Sequence, residues 1–401
     1  MSATGRPERE YRSAQHEGSP VSASVLLVST ATHSPAPGRM PRCLAMAGFE
    51  VSVLAPKGSL AEKTRFVSKI GHLPESATAA QWIHAFAATV KATSPVLVLP
   101  CDDTSFRLMQ MLVYSPPRNL QPALQRDLAL LVAASLGNPD FYRTSVDKTL
   151  LSPAAAALGV RVPPYGVVED PREAEAFAGE HGFPVVVKRG HSTAGEGVAI
   201  CSSAAELAQA FTTLRLPDPT GLSEANARRL IVQAHIPGRI QYYAGVTWKG
   251  ALVSGMAVEK LAGPPKGPST VSRYFRSDAL RDHSARLAQG FGMTGIIAPE
   301  FAIHERTGEP YLLELNRRMT HGTHRGAAMN VDACAALFSA VSGTPATTRA
   351  DLDVGEEHRC VHFPSEWLRD PASRWLREYP VDVPWDEPEL IEAMLALRRV
   401  P

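Results

Sequence analysis

The first 140 residues alternate between short apolar runs and longer amphipathic stretches. Apolar runs at 24–29, 51–54 and 95–100 have the length of buried strands. Helical periodicity marks 39–47, 78–93, 105–113 and 121–136. Strands alternating with helices of this length predict parallel βαβ units, because a parallel crossover needs a helix to cover the sheet. Residues 23–140 therefore read as a Rossmann-like first domain. No Gly-x-Gly-x-x-Gly follows the first strand, so a dinucleotide site is not expected there.

The pattern changes after 140. A predicted helix at 146–158 stops at Gly159, with Pro163 and Pro164 barring its continuation. Strand 165–168, helix 171–181, strand 184–188, a glycine-rich turn, strand 198–201 and helix 204–213 follow, a compact α+β lobe over 141–216. Beyond a Pro/Gly linker at 216–222 the chain turns β-rich, with predicted strands at 229–236, 240–247, 251–260, 296–304 and 310–316. Hairpins fall at Lys249-Gly250 and Thr307-Gly308. Helices at 278–289 and 331–341 cover one face of this larger lobe, 217–345. A C-terminal extension, 346–401, carries a strand at 358–363 and helices near 371–378 and 388–398. The fold class is thus α/β followed by α+β.

Composition narrows the function. At 401 residues the chain suggests two or three domains, and 44% apolar with 20% charged residues suits a globular enzyme. With 41 basic against 40 acidic residues, and no basic tract interleaved with aromatics, nucleic acid is a poor partner. Five dispersed cysteines form no Cys-x-x-Cys pair, which fits a reducing cytoplasm. The apolar run 128–136 is too short to span a bilayer, so no membrane partner is expected. Residues 1–22 are polar and mixed in charge, a loose tail rather than a leader.

Three segments carry chemistry. Glu300 on one predicted strand, with Glu314 and Asn316 on the next, places two carboxylates and an amide oxygen on paired strands. Arg317 and Arg318 follow directly. Hard oxygen ligands beside arginines suit magnesium held against phosphate. Lys188 ends a buried strand before a turn of small residues, Ser192, Thr193, Ala194, Gly195, Glu196 and Gly197, whose backbone N–H groups can close over phosphate oxygens. A second lysine, Lys148, sits in the first turn of a helix. The strand at 229–236 ends in Pro237-Gly238, a hinge between lobes. Asp102-Asp103 reads as a helix cap, and His321 and His324 as a polar loop lining a substrate pocket rather than a metal site.

Lysine at a helix start, strand lysine before a small-residue loop, hinge strand, then Glu…Glu-x-Asn-x-Arg: in this order the motifs over about 140–330 resemble the ATP-grasp superfamily, carboxylate–amine ligase type. The resemblance implies ATP and Mg2+, commonly a pair of ions, as cofactors. Lys148, Lys188 and the loop Ser192, Thr193, Gly195, Glu196, Gly197 would then contact phosphates, and Gln233, Ala234, Ile236 and Gln241 the nucleoside. Glu300, Glu314 and Asn316 would hold metal, and Arg273 and Arg318 would neutralise the transferred phosphoryl. The sequence departs from the family pattern at Gln233, where relatives carry glutamate, at Ile240, near their ribose carboxylate, and at Arg317, where proline is common. The implied partners are a small carboxylate and an amine; dimers are common among similar enzymes. A bicarbonate-activating carboxylase is the alternative enzyme, though the chain lacks a biotin-attachment Met-Lys-Met. A nucleotide-binding regulator without turnover is the alternative outside catalysis.

Overall fold

The computed structural model describes residues 23–74, 76–116, 120–191, 197–215, 229–264, 267–320 and 322–397. Three sheets organise them. Strands β1 (Ala23–Val28), β2 (Phe49–Pro56), β3 (Lys69–Leu73) and β4 (Leu97–Pro100) form a parallel sheet in the order β3-β2-β1-β4. Every residue of β1 and β4 is buried, as expected for strands covered on both faces. The helix Ala79–Thr93 is started by a Thr78–Gln81 capping box. Edge strand β3 was not foreseen. Its Lys69 and His72 are exposed, so it lacks the apolar run that marks its neighbours.

The second sheet is antiparallel and small: β5 (Tyr165–Val168), β6 (Val185–Arg189), β7 (Val198–Cys201) and β8 (Leu230–Ala234), in the order β5-β8-β6-β7. The helices Pro171–His181 and Ala204–Leu214 supply Ala174, Ala178, Leu207 and Phe211 to its core. This sheet takes β8 from beyond the linker.

The third sheet has six strands: β9 (Gly238–Trp248), β10 (Ala251–Ala262), β11 (Val271–Phe275), β12 (Gly295–His304), β13 (Pro310–Asn316) and β14 (Glu357–Val361). Their order is β13-β12-β9-β10-β11-β14. Strand β11 is a second unforeseen element, and β14 brings the C-terminal segment into the sheet. Gly238 opens β9 at φ 152°, where an added Cβ would lie 1.8 Å from the Ile303 carbonyl oxygen; only glycine lets the hinge pass this close to β12.

One core joins the first and third sheets. Val25 and Leu27 of β1, Leu99 of β4, Val246 of β9, Ile296 of β12, Met319, and Cys334 and Leu337 of the helix Ala333–Ser342 pack together. The carboxyl ends of β1 and β4 are thereby set against the segment that leaves β13. All five cysteines are free and buried. Among the described residues no helix is long and apolar enough to cross a membrane.

Candidate active site

Glu300 and Glu314 are direct partners across the β12–β13 ladder. Two irregularities set Glu300 apart from a regular strand residue. The ladder to β9 skips Ala298 and Pro299, and a bulge follows between Glu300 and Phe301 on the β13 side. Proline has no N–H to give a ladder, and bulges re-aim side chains, so both favour a carboxylate turned out of the sheet. Asn316, two residues after Glu314 and on the same face, donates from Nδ2 to Glu314 Oε1 at 3.3 Å. Two carboxylates and an amide oxygen at this corner form a hard donor set that fits a divalent cation such as Mg2+.

Cations meet the carboxylates from other elements. Lys148, in the first turn of the helix Lys148–Ala157, places Nζ 3.2 Å from Glu314 Oε2. Lys188, buried on β6, feels Lys148, Glu314 and Glu300. Burial and the Lys148 charge lower its ammonium to about 8 despite the two glutamates. Burial and the facing Glu314 push the Glu300 carboxyl up to about 7, against the pull of Lys188, Lys148 and Arg318. Burial raises Glu314 as well, but Lys148 and Lys188 outweigh it and hold this carboxyl below its ordinary value. One carboxylate is thus satisfied by lysine, while the other is short of positive charge, the deficit a bound cation makes good.

The two lysines are locked to each other locally. Lys148 N donates to the Gly190 carbonyl oxygen at 2.9 Å. Asp147 caps the helix, its Oδ1 accepting from Thr149 N and Thr149 Oγ1 at 2.9 and 2.7 Å. A Cβ on Gly190 would meet that same Oδ1 at 2.5 Å, so glycine permits the contact between β6 and the helix start. Arg189 N donates to the Gly197 carbonyl oxygen at 2.9 Å, closing the base of the small-residue turn. Ser192, Thr193, Gly195 and Glu196 lie outside the described residues, as does His321.

Of the residues expected around the nucleoside, Gln233 is buried on β8, with Nε2 3.3 Å from Ser152 Oγ. Its Oε1 has no hydrogen-bond partner among the described residues. Ala234 and Ile236 are half-buried beside it. Gln241 is directed otherwise. It shares a ladder row with Glu259 and Arg273, and its Nε2 lies 3.4 Å from Glu259 Oε2.

That row also displaces Arg273. Glu300 registers with Tyr242, Val258 and Tyr274, whereas Phe301 registers with Gln241, Glu259 and Arg273. Neighbouring rows face opposite sides of a sheet, so Arg273 lies on the face away from Glu300. There it pairs with Glu259 and, at 3.1 Å, with Glu357. The structure does not bring Arg273 together with Glu300 and Glu314. Lys260, on the Glu300 face of β10, is the basic residue that sequence reading missed. Burial lowers its ammonium against the favouring charge of Glu300, and its Nζ donates to the Pro264 and Gly267 carbonyls at 2.5 and 3.2 Å.

Arg318 joins the corner. Its Nε donates to Asp103 Oδ1 at 2.8 Å, and Glu314 and Asp102 add to the negative field around it. Asp102 caps the helix Asp103–Tyr114 through Ser105, as expected, and also accepts from Ser29 Oγ, Thr30 N and Thr30 Oγ1 at 2.9, 2.7 and 2.9 Å. Arg317 turns the other way, buried, its Nη2 donating to the Leu136 carbonyl at 2.6 Å. A cavity of about 290 Å³ opens beside Arg318 at the carboxyl ends of β1 and β4, lined also by Thr30, Arg39, Asp102, Asp103 and His324. Asp103 was read only as part of a helix cap and Arg39 carried no sequence signal, because only packing between the sheets brings them here.

Comparison with known proteins agrees with this geometry. The family model described as carbamoyl-phosphate synthase L chain, ATP binding domain, matches residues 147–226. The chain is 29% identical over 185 residues to a D-alanine–D-alanine ligase of Laribacter hongkongensis, covering 42% of this chain and 54% of that one. It is 23% identical over 221 residues to the carbamoyl phosphate synthase large chain of Pyrococcus furiosus, covering 52% and 19%. The match thus spans about half the length of the first relative and a fifth of the second. Among solved structures, a biotin carboxylase from Campylobacter jejuni superimposes with a TM-score of 0.65 at 13% identity, covering 84% of this chain and 74% of that one. A carboxyaminoimidazole ribonucleotide synthase from Aspergillus clavatus gives 0.59 at 15%, covering 84% and 81%.

Proposed function

We propose that this chain, which belongs to the ATP-grasp superfamily, is an ATP-dependent ligase that couples a carboxylate to an amine and releases ADP and phosphate. The observation carrying the reading is the convergence of Lys148 and Lys188 on the facing pair Glu300 and Glu314. Lys148 and Lys188 would hold the ATP phosphates, with the turn from Ser192 to Gly197 closing over them. Glu300, Glu314 and Asn316 would hold Mg2+, as a pair of ions. Gln233, Ala234 and Ile236 would meet the adenine, the unpartnered Gln233 Oε1 accepting from its amino group.

A substrate carboxylate oxygen attacks the γ-phosphorus as the bond to the ADP oxygen breaks. The amine then attacks the acyl carbon, loses a proton, and expels inorganic phosphate. Bound Mg2+ supplies charge neutralisation on the phosphates throughout. The protein's own part is positioning and counter-charge: Lys148 and Lys188 align the phosphates, and Arg318 screens the developing negative charge beside the cavity. No side-chain nucleophile is needed. The test is ADP and phosphate release from Mg-ATP with panels of small acids and amines. Release dependent on Mg2+, on an acid and on an amine is expected. ADP release driven by bicarbonate with no amine would replace this reading with a carboxylase.

A further inference from the structure

Three donor atoms of different chemistry converge where β14 runs into the C-terminal extension. Val381 forms a parallel bridge with Val361 at the end of β14. Alternate residues share a side of such a ladder, so Asp382 falls on the side of Cys360 and His362. All three are buried, and their candidate ligand atoms lie within 4.8 Å of one another. A thiol sulfur, an imidazole nitrogen and a carboxylate oxygen differ from the oxygen donors at Glu300, Glu314 and Asn316. They suit zinc rather than magnesium.

The hydrogen bonds behind His362 fix which nitrogen faces the cluster. Ser269 gives its hydroxyl proton to the Val271 carbonyl at 2.6 Å, and Ser272 gives its own to Ser269 Oγ at 3.0 Å. Ser272 Oγ, 2.8 Å from His362 Nε2, is left to accept from it. The proton of a neutral His362 therefore sits on Nε2, and Nδ1 carries a bare lone pair. This Nδ1 is buried without a hydrogen-bond partner among the described residues, 3.8 Å from Asp382 Oδ2. Two acceptors facing each other in a buried space repel unless a cation lies between them. Their separation matches two ligands of one tetrahedral zinc, which sit about 3–4 Å apart. The bond from Nε2 to a hydroxyl is also what orients a histidine that ligates metal.

Asp382 keeps room for the ion. Its Oδ1 accepts from Phe363 N, and its Oδ2 from His324 Nε2 at 2.7 Å. Arg39 Nη2 lies 3.4 Å from Oδ2 and 3.1 Å from His324 Nε2, and donates to the Asp382 carbonyl oxygen at 2.6 Å. A carboxylate offers about four lone-pair sites, so these donors leave one free. A cavity of about 140 Å³, lined by Arg39, His324, His362 and Asp382 among others, has space for a water beside the cluster. We propose that Cys360, His362 and Asp382 bind one Zn2+ per chain, with water from this cavity as the fourth ligand, and that the ion clamps the C-terminal segment to β14. Binding displaces the Cys360 thiol proton to solvent, so thiolate and carboxylate together balance the dication.

Titration of the tag-free, chelator-stripped full chain with Co2+, as a spectroscopic probe, and then with Zn2+ tests the assignment. One Co2+ per chain should bind with a thiolate-to-metal charge-transfer band. Zn2+ should abolish the band, and excess Mg2+ should leave it intact. Cys360→Ser should lose the band while Cys43→Ser and Cys334→Ser keep it; all five cysteines are buried, so no exposed thiol competes. Ser272→Ala leaves the three ligands in place but frees Nε2, and should weaken Zn2+ binding about tenfold or more. Zn2+ should raise the melting temperature of the parent and not that of His362→Gln. No metal uptake by the parent overturns the proposal and assigns His362 a second proton, donated from Nδ1 toward Asp382. A band surviving in Cys360→Ser, or Zn2+ affinity undiminished in His362→Gln, overturns it as well. Should Cys360→Ser fail to fold by circular dichroism, X-ray absorption on the Zn2+ form of the parent decides: one sulfur neighbour is expected, and none refutes the site.

Discussion

Lys148, at the start of a helix, and Glu314, near the end of β13, form a 3.2 Å ion pair that joins the helix to the corner where Glu300 and Asn316 meet. The lysine side chain is almost fully buried and the glutamate side chain 32% exposed, so the pair presents its carboxylate outward. Glu314→Gln should keep the fold, judged by circular dichroism, and lower ADP release by at least about a hundredfold, the scale lost when one preorganised charge is removed from a transition state. Full activity of this variant would refute the metal assignment.

Glu300 gives the site a pH signature. In the unfolded chain its carboxyl loses its proton near the ordinary 4.5, whereas in the folded chain burial and Glu314 delay this to about 7. The unfolded state therefore holds fewer protons between these values, and this residue's contribution to stability falls as pH rises through that window. Without Mg2+, Glu300→Gln should melt higher than the parent at pH 8 and close to it at pH 4.5. Mg2+ should raise the parent's melting temperature more at pH 8 than at pH 6, since only the ionised carboxylate is a good ligand. Thermal scans at several pH values check both statements.

Gly190→Ala tests the clamp between β6 and the helix carrying Lys148. The new methyl would press on Asp147 Oδ1 at 2.5 Å, disturbing the cap on Thr149. A loss of about 1–3 kcal/mol is expected from overpacking and a weakened cap. Denaturant unfolding measures it, and KM for ATP should rise while that for the acid changes little.

Arg318 and Arg273 should separate cleanly. Arg318→Lys keeps a charge near Asp103 but loses the planar fork, so kcat should drop at least about tenfold with small changes in melting temperature. Arg273→Gln strips a counter-charge from buried Glu259, leaving Arg239 at 3.2 Å as its remaining cation among the described residues. It should destabilise the chain by about 3 kcal/mol with kcat nearly unchanged. Steady-state kinetics and thermal melts on the two proteins decide.

The legible parts of this molecule were those whose physics is local. Buried parallel strands such as β1 and β4 are continuous apolar runs, and the Glu300/Glu314 pair could be read because one hairpin turn joins β12 to β13. Strands β3 and β11 escaped notice: each is five residues long and carries exposed or half-buried polar positions within its run. Missing β11 had a specific cost. With no strand there was no register, and without register nothing indicated that Arg273 faces away from Glu300 while Lys260 shares its side. Arg39 and Asp382 were invisible for a different reason, and Asp103 was legible only as part of a helix cap. They meet only because the first sheet docks on the third, an event that leaves no periodic trace in the chain.

Three distant stretches hold Arg39: its own helix Ala36–Ala47, the turn after β13 that carries His324, and the segment beyond β14 that contributes Asp382. The Lys148–Glu314 pair and the contacts of Arg39 are consequently held by different parts of the polypeptide. Changes near either end of the described residues can therefore shift Arg39 without touching the Lys148–Glu314 pair that lies between them in the chain.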